Sequence, residues 1–403
     1  VGKFNREKMK KIKQLFLGFL AVVALSACRD EVAAPYPVPQ AMAQKTLFVY
    51  MPWSASRTSE SGSLYHAFQQ NLTDIQTAIA RNGGLGRNRL LVFISSSATS
   101  AVMMEVVYRG GICRQDTLER YSAAHMPAFT TADGIADILT RVKQTAPAQR
   151  YALIVGCHGT GWLFAGGRSR AQTRYFGGSE PYFQTNISAL AQGIGKAGMK
   201  MQFVMFDDCY MSNVEVAYEL RRATDHLIGC ASEIMAYGMP YERIWKYLAQ
   251  PEPDYQRVVD EFHRFYSAYS TPCGNIGVAD CSQAQQMASV MKRINARHVF
   301  NLSDTVSVQK LDGYRNTIFF DFDSYVRKLC GSDPLYADFQ TALSRFVPYK
   351  ASTPQIYTSL GELPTRYINV GSFSGITISD PTVSTYERAI ATKTQTAWWA
   401  ATH

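Results

Sequence analysis

Two uninterrupted apolar runs in the middle of the chain predict buried strands that end in polar loops. The first covers residues 151–155 and is followed by the loop that carries His158. The second covers residues 203–206 and is followed by two aspartates and Cys209. Continuous apolar runs of this length are typical of parallel strands, which are covered on both faces. Because ligands of open α/β sheets gather outside the carboxyl ends of the strands, these two loops are where we expect chemistry.

The surrounding pattern predicts strands and helices in alternation. Strands are predicted at residues 46–50 and 89–94, a hairpin at residues 103–118, and helices at residues 64–81 and 132–145. A further helix is predicted to begin at Ser212, because Ser212 and Glu215 have the spacing of a capping box. The alternation predicts the α/β fold class, with a mostly parallel sheet and helices on both faces.

After about residue 250 the pattern changes. Helix-like segments at residues 242–249, 254–269 and 282–296 alternate with Pro-rich breaks and one strand at residues 274–279. Short strands with Gly turns return at residues 366–378. We therefore expect a main domain over residues 45–250 and a carboxyl-terminal helical and strand region, residues 251–403, packed on it.

The first 44 residues are expected to lie outside the globular part. Basic residues precede an apolar run at residues 15–27 that is too short to cross a bilayer, which predicts a signal peptide over residues 1–27. The sequence Leu-Ser-Ala-Cys that ends at Cys28 resembles the lipobox of bacterial lipoproteins, in which the cysteine is lipidated. An ordinary secretory signal with a chance cysteine is the alternative. Residues 28–44 then form a Pro-rich tether, and the lipid anchor would hold the protein at the membrane of the cell envelope, as an outer-membrane lipoprotein.

Charge and cysteine content exclude some classes of function. The formal net charge of +9 includes six basic residues and one acidic residue before Cys28, so the remainder carries +4. This mild excess, without a basic stripe, predicts no nucleic-acid partner. No C-x-x-C or H-x-x-x-H spacing occurs, so no metal site is predicted. Cys157 and Cys230 are predicted to be buried free thiols, and Cys273 and Cys281 are a candidate local disulfide.

The residues of both loops resemble those of the clostripain family of cysteine peptidases, relatives of caspases, gingipains and legumain. The first loop matches at His158, Gly159, Gly161 and Trp162, and the second at Phe206, Asp207, Cys209, Met211 and residues 215–220. A looser match follows at Ser232, Glu233, Gly238, Pro240 and Tyr241. The resemblance implies a caspase-like fold and an endopeptidase that cuts protein or peptide substrates after Arg or Lys. It implies no required cofactor, and calcium stays an open alternative.

A thiol nucleophile needs a base within hydrogen-bond reach, and an imidazole also protonates the leaving amine. His158 and Cys209 are the candidate pair, against the alternative of a polar loop residue and a buried thiol. The resemblance to caspases implies that the backbone N–H groups of Gly159 and Cys209 form the oxyanion hole. No side chain that would orient the histidine is evident in the sequence.

Two neighbouring acids, Asp207 and Asp208, precede the candidate nucleophile. The resemblance places Asp207 in the primary specificity pocket, paired with the arginine or lysine of the substrate, with Glu233 as a candidate second acid. Helix capping or cation binding is the alternative for both aspartates. Asp208 stands where the family often has a small residue, and it would disfavour the Cys209 thiolate unless its carboxylate points away.

The segment between the two loops is a candidate for self-processing. Residues 163–183 carry Arg168, Arg170 and Arg174 among Gly, Ser and Ala, and exposed loop tips are where nicking concentrates. A non-catalytic surface lipoprotein that keeps the fold to bind a protein or peptide is the alternative function.

Overall fold

The computed structural model describes residues 42–123, 129–163, 176–360, 366–380 and 392–403. The predicted signal peptide, Cys28 and almost all of the tether lie outside the described residues, as do Arg168, Arg170 and Arg174. The first strand begins at Ala43, two residues before the predicted start of the globular part. None of the helices in the described ranges is long and apolar enough to cross a membrane.

A nine-stranded sheet forms the centre of the molecule. Its strands, in chain order, are β1 (Ala43–Met51), β2 (Asn88–Ser97), β3 (Ser100–Arg109), β4 (Ile112–Tyr121), β5 (Ala148–Gly156), β8 (Met201–Asp207), β9 (Thr224–Gly229), β10 (Asn275–Asp280) and β12 (Tyr349–Ser352). Their spatial order is β12-β10-β9-β8-β5-β1-β2-β3-β4. The five central strands are parallel, and the outer pairs run antiparallel. The predicted mostly parallel α/β sheet is thus confirmed.

Within the described residues, three two-stranded pairs lie outside this sheet. They are formed by β6 (Phe176–Gly177) with β7 (Gln184–Thr185), β11 (Phe320–Asp321) with β15 (Thr377–Ile378), and β13 (Gln355–Tyr357) with β14 (Tyr367–Asn369).

The helices cover both faces of the central sheet. They are α1 (Tyr65–Arg81), α2 (Ala132–Thr145), α3 (Ile187–Lys196), α4 (Val214–Leu220), α5 (Tyr241–Leu248), α6 (Tyr255–Ser267), α7 (Ala284–Asn295), α8 (Phe322–Cys330), α9 (Leu335–Phe346) and α10 (Ala397–Thr402). Helices α2 and α3 pack together over Phe48, Tyr50 and Leu153. Helices α1, α5 and α6 pack in sequence on the other face, where Phe68 approaches the end of β5.

The central strands form because their residues are apolar on both faces. Every residue of β8 is buried, and Ala152 to Gly156 of β5 are buried as well. Strands β10 and β12 bring residues after 250 into the same sheet. The carboxyl-terminal residues therefore extend the sheet that carries both candidate loops.

The predicted capping box is wrong. Helix α4 begins at Val214, and its N-cap is Asn213, whose side chain accepts the N–H of Val216 at 3.2 Å. The Ser212 hydroxyl instead donates to the Gly375 carbonyl at 2.8 Å, and Glu215 pairs with the Lys393 ammonium at 3.1 Å. Asparagine is as good an N-cap as serine, so the other two side chains are left to bind distant segments.

All seven cysteines within the described ranges are free thiols. Cys157 and Cys230 are buried, as predicted. Cys273 and Cys281 are also buried and free, so the candidate disulfide between them is not formed.

Candidate active site

The sheet register brings the two candidate loops side by side. Strands β5 and β8 pair in parallel, and the last paired residues are Gly156 and Asp207. His158 and Cys209 therefore both lie two residues beyond the point where the ladder ends. This is the geometry expected of two neighbouring parallel strands whose carboxyl ends meet at one sheet edge.

The two loops open into a cavity of about 380 Å³. Four of the predicted site residues, His158, Asp207, Cys209 and Glu233, line it together with Asp208. The other lining residues come from the start of α1, the His158 loop, the loop between β9 and α5, and the end of β13 with the loop after it, and they are Leu64, Ala67, Phe68, Asn71, Cys157, Ile234, Met235, Ala236, Gly238, Tyr357 and Ser359. A cavity that combines apolar walls with converging titratable groups has the character of an active site.

The imidazole of His158 is oriented by a backbone carbonyl. Its Nε2 lies 2.8 Å from the carbonyl oxygen of Gly62 and donates to it, since a carbonyl oxygen can only accept. Burial lowers the pKa of His158 below its ordinary value. The neutral ring with a proton on Nε2 keeps its basic lone pair on Nδ1. A sequence pattern cannot reveal this orienting group, because every residue carries a main-chain carbonyl.

The Cys209 thiol is half-buried and lies against residue 234. The Ile234 N–H donates to Sγ at 3.4 Å. Burial, with a smaller contribution from the charge of Glu233, raises the pKa of Cys209 to about 12. The thiol is therefore protonated at neutral pH and needs a base to become a nucleophile.

Tyr210, directly after the candidate nucleophile, adopts a left-handed backbone conformation with φ of 59°. Such a conformation in a bulky residue persists only where the surroundings impose it. The Tyr210 N–H donates to the Ser232 carbonyl at 2.9 Å, its hydroxyl donates to Glu233 at 2.9 Å, and its ring stacks on Phe319. These contacts hold the sharp turn that presents the Cys209 thiol to the cavity.

Asp207 lies in the cavity wall and is only 7 % exposed. One oxygen accepts the Met239 N–H at 2.7 Å, and the other accepts from Asn71 Nδ2 and the Tyr241 hydroxyl, both at 2.9 Å. Three of about four acceptor positions are thus used. Burial raises the pKa of Asp207 to about 7, although the three hydrogen bonds act in the opposite direction.

Gly238 keeps the Asp207 carboxylate open to the cavity. A Cβ atom at this position would lie 2.4 Å from Asp207 Oδ1, and its φ of +73° is one that glycine adopts most readily. Gly238 and Tyr241 belong to the looser motif noted in the sequence. Asn71 is a contact that sequence reasoning missed, since nothing in α1 marks it.

Glu233 also lines the cavity, but its oxygens already have protein partners. They accept from the Tyr210 and Thr358 hydroxyls, at 2.9 and 2.8 Å, and from the N–H and hydroxyl of Ser359. Glu233 therefore joins the Cys209 turn to the loop after β13. It is less available to a ligand than Asp207.

The carboxylate of Asp208 contacts Cys157, the first residue after β5, and its charge is one of the smaller contributions that raise the pKa of Cys209. This carboxylate accepts the Cys157 N–H at 2.7 Å and the Cys157 thiol at 3.2 Å. Gly159 lies close by, and a Cβ there would be 2.5 Å from the Cys209 carbonyl oxygen. The two loops are thus in direct contact on both sides of the candidate dyad. No cluster of three or more metal-ligating side chains occurs among the residues with described positions.

Comparisons with known proteins identify the family. The Clostripain family model matches residues 63–338, and with the fold described above this defines a cysteine peptidase of the caspase-like class. The chain belongs to the clostripain family. A comparison with curated proteins returns no match.

Solved structures of similar proteins share the fold. A secreted cysteine protease from Bacteroides thetaiotaomicron called iotapain is 42 % identical, with a TM-score of 0.80 over 90 % of this chain and 99 % of that one. An inactive zymogen from Parabacteroides distasonis is 25 % identical, with a TM-score of 0.76 and the same coverage. A clostripain from B. thetaiotaomicron in complex with the peptide inhibitor BTN-VLTK-AOMK is 50 % identical, with a TM-score of 0.54 over 57 % of this chain and 99 % of that one.

Proposed function

We propose that this cysteine peptidase works through a dyad of Cys209 and His158 and cuts after a basic residue. The observation that carries the dyad is the hydrogen bond from His158 Nε2 to the Gly62 carbonyl. It fixes the ring and leaves Nδ1 as the base, which is the role that the third member plays in catalytic triads. A raised thiol pKa and a lowered imidazole pKa favour the neutral pair at rest.

The proposed reaction then follows ordinary acyl-transfer chemistry. His158 takes the proton of Cys209 Sγ, and the sulfur attacks the scissile carbonyl carbon. The N–H groups of Gly159 and Cys209 stabilise the resulting oxyanion. The imidazolium donates its proton to the leaving amine as the C–N bond breaks, which leaves a thioester on Sγ. Water, deprotonated by His158, hydrolyses the thioester and restores the thiol.

Asp207 is the proposed determinant of specificity. A buried carboxylate with an unused acceptor position favours a cationic partner, and Arg or Lys supplies one. Glu233 adds negative charge to the same cavity. The peptide part of the inhibitor bound to the 50 % identical clostripain, VLTK, ends in lysine, which supports a basic residue before the cut.

The dyad is tested with Cys209→Ala and His158→Ala, measured on an arginyl fluorogenic peptide. We expect each variant to lose hydrolysis while far-UV circular dichroism stays that of the native protein. Cys281→Ala is the matched control, since Cys281 is a buried free thiol in the short 3-10 helix after β10. Normal turnover by folded Cys209→Ala or His158→Ala would refute the dyad.

We further propose self-cleavage after Arg168, Arg170 or Arg174, which lie in the chain between the two site strands. A substrate segment tethered beside its own active site is met at high effective concentration. Terminal sequencing of purified native protein and of Cys209→Ala tests this. We expect two associated fragments from the native protein and one chain from the variant, and nicking of both would point to another protease.

A lipid anchor at Cys28 is the proposed means of attachment to the cell envelope. It rests on the lipobox-like sequence and the preceding apolar segment. Cys28→Ala should move the full-length protein from the detergent phase to the aqueous phase in a phase-separation assay. Unchanged partition would count against lipidation.

A further inference from the structure

We infer that Asp208 is a positioning residue that sets the distance between the two catalytic loops by holding the main chain next to His158. This inference rests on the proposed Cys209–His158 dyad. Asp208 directly precedes Cys209, and its partner Cys157 directly precedes His158. A contact between Asp208 and Cys157 therefore connects the two residues that directly precede the proposed nucleophile and the proposed base.

The Asp208 carboxylate accepts a hydrogen bond directly beyond the last backbone pair between β5 and β8. Backbone pairing between β5 and β8 ends at Gly156 and Asp207. The next N–H along the chain, that of Cys157 directly after β5, donates to Asp208 Oδ1 at 2.7 Å. The side chain of the first residue after β8 thus continues the connection between the two strand ends for one more residue. Without it, the buried N–H of Cys157 would be left without an acceptor, and the main chain beside His158 would lose its connection to Asp208.

The second carboxylate oxygen of Asp208 forms a further hydrogen bond with the same residue. Asp208 Oδ2 accepts from the Cys157 thiol at 3.2 Å, so the main chain and the side chain of one residue are both held. Asp208 is 1 % exposed and Cys157 is 2 % exposed, so water does not compete for these hydrogen bonds. Hydrogen bonds in such surroundings are stronger than in water.

The two loops have little freedom to adjust by other means. A Cβ at Gly159 would lie 2.6 Å from Asp208 Cβ and 2.5 Å from the Cys209 carbonyl oxygen, so the loops already touch. On the far side, the Gly177 N–H donates to the His158 carbonyl at 2.9 Å. A change at Asp208 would therefore displace His158 relative to Cys209 rather than be absorbed elsewhere.

The geometry separates this role from substrate binding. Both acids line the cavity, but Asp207 is 7 % exposed, whereas Asp208 is 1 % exposed and each of its oxygens accepts a hydrogen bond from Cys157. A positioning residue should influence the rate of the chemical step and leave the affinity for substrate almost unchanged.

The test compares Asp208→Ala with Asp208→Asn in the full chain, using an arginyl peptide. The alanine variant should lose about 100-fold in kcat, the cost of a small misplacement of reacting groups, with little change in KM. The asparagine variant keeps an acceptor for the Cys157 N–H and should stay within about tenfold of the native kcat. Equal losses in both variants would mean that the negative charge matters rather than the position, and would overturn the inference. So would native kcat in Asp208→Ala, or a change confined to KM.

A second pair of variants covers the case in which Asp208→Ala does not fold. Cys157→Ser keeps a donor to Asp208, and Cys157→Ala removes it. We expect kcat to fall by up to about tenfold in the alanine variant and to stay near native in the serine variant. Equal kcat in the two variants would overturn the inference.

Asp321→Ala is the matched structural control. Asp321 is also fully buried and accepts N–H groups of Ser324 and Ser374, but it lies in β11, outside both loops. Its loss should lower the melting temperature and leave the kcat of the folded protein unchanged. Turnover by Cys209→Ala would refute the dyad itself, whereas a dead Cys209→Ala beside a fully active Asp208→Ala would refute only the positioning role.

Discussion

Asp207 and Asp312 are two buried carboxylates whose pKa values are raised to the same level in different surroundings. Burial raises the pKa of each to about 7. Asp312 accepts three backbone N–H groups, from Tyr314, Ile318 and Phe319, all within seven residues of itself. Asp207 accepts one backbone N–H and two side-chain groups, and it lines the cavity of the dyad. A shifted pKa alone therefore does not identify a functional acid.

The difference lies in where the hydrogen-bond donors come from. The donors to Asp312 belong to one loop, which the carboxylate closes on itself. The donors to Asp207 come from α1 and from the turn and first residue of α5, which hold the carboxylate at the meeting point of three segments. Partners drawn from separate elements, with one acceptor position left open, are what we expect of a site that awaits a ligand.

The largest expected effect is on specificity at Asp207. Asp207→Ala should lower kcat/KM for an arginyl substrate by roughly 100-fold or more, because breaking a buried ion pair costs about 3–5 kcal/mol. The preference for arginine over leucine, measured on matched peptides, should collapse by a similar factor. Labelling of Cys209 by iodoacetamide should persist, since the dyad remains.

Native enzyme that cuts equally after leucine and arginine would contradict the role given to Asp207. Asp312→Ala is the control for this experiment. Among its folded molecules, the ratio of arginyl to leucyl cleavage should stay native.

A smaller effect, on stability, is expected from Asp312. Asp312→Ala leaves three buried N–H groups without their acceptor, and each such loss costs about 1–3 kcal/mol. The free energy of unfolding, measured by urea denaturation, should fall by roughly 3 kcal/mol or more. If Asp207→Ala destabilised the protein more than Asp312→Ala did, the distinction between a loop-closing acid and a ligand-binding acid would fail.

Gly238→Ala tests the role of Asp207 by changing the residue that lies against its carboxylate in the cavity. The new Cβ would meet the Asp207 carboxylate at 2.4 Å, and its φ of +73° is costly for alanine. We expect KM for the arginyl peptide to rise by about tenfold, the equivalent of 1.4 kcal/mol, with a smaller change in kcat. Gly331→Ala is the control, because Gly331 also has positive φ but has open space around its Cβ position. A KM that responds equally to both substitutions would show that the effect is a general one on the fold.

The strand pattern was sufficient to predict the sheet and the strand ends that carry His158 and Cys209. It did not predict the contacts with distant segments that complete the candidate active site. Asn71 lies 136 residues before Asp207, to which it donates a hydrogen bond. Gly375, which accepts the hydrogen bond of the Ser212 hydroxyl, lies 163 residues after Ser212. No local sequence pattern connects the two residues of either pair. The Gly62 carbonyl is a backbone group that any residue would offer. Local periodicity reports burial, whereas these partners are set by the packing of distant segments.

The dependence of stability and activity on pH distinguishes the two acids further. Both carboxyls have a folded-state pKa of about 7 against an ordinary value of 3.8. A raised pKa means that the folded protein holds the proton more tightly, so the stability from each acid is complete below pH 3.8 and is lost as pH rises to about 7. Asp207→Asn and Asp312→Asn should each flatten this fall in the free energy of unfolding.

Near pH 7, the activity on an arginyl peptide should depend on pH through Asp207. A protonated Asp207 cannot pair with a cation, so kcat/KM for an arginyl peptide should rise as pH increases through about 7. The pKa of His158 is lowered below its ordinary value of 6.5, so the histidine is already neutral in that range and does not account for the rise. A leucyl peptide should lack this rise, and Asp312→Asn should keep it for the arginyl peptide. The same rise with both peptides would assign it to the dyad, and would leave Asp207 no different from Asp312.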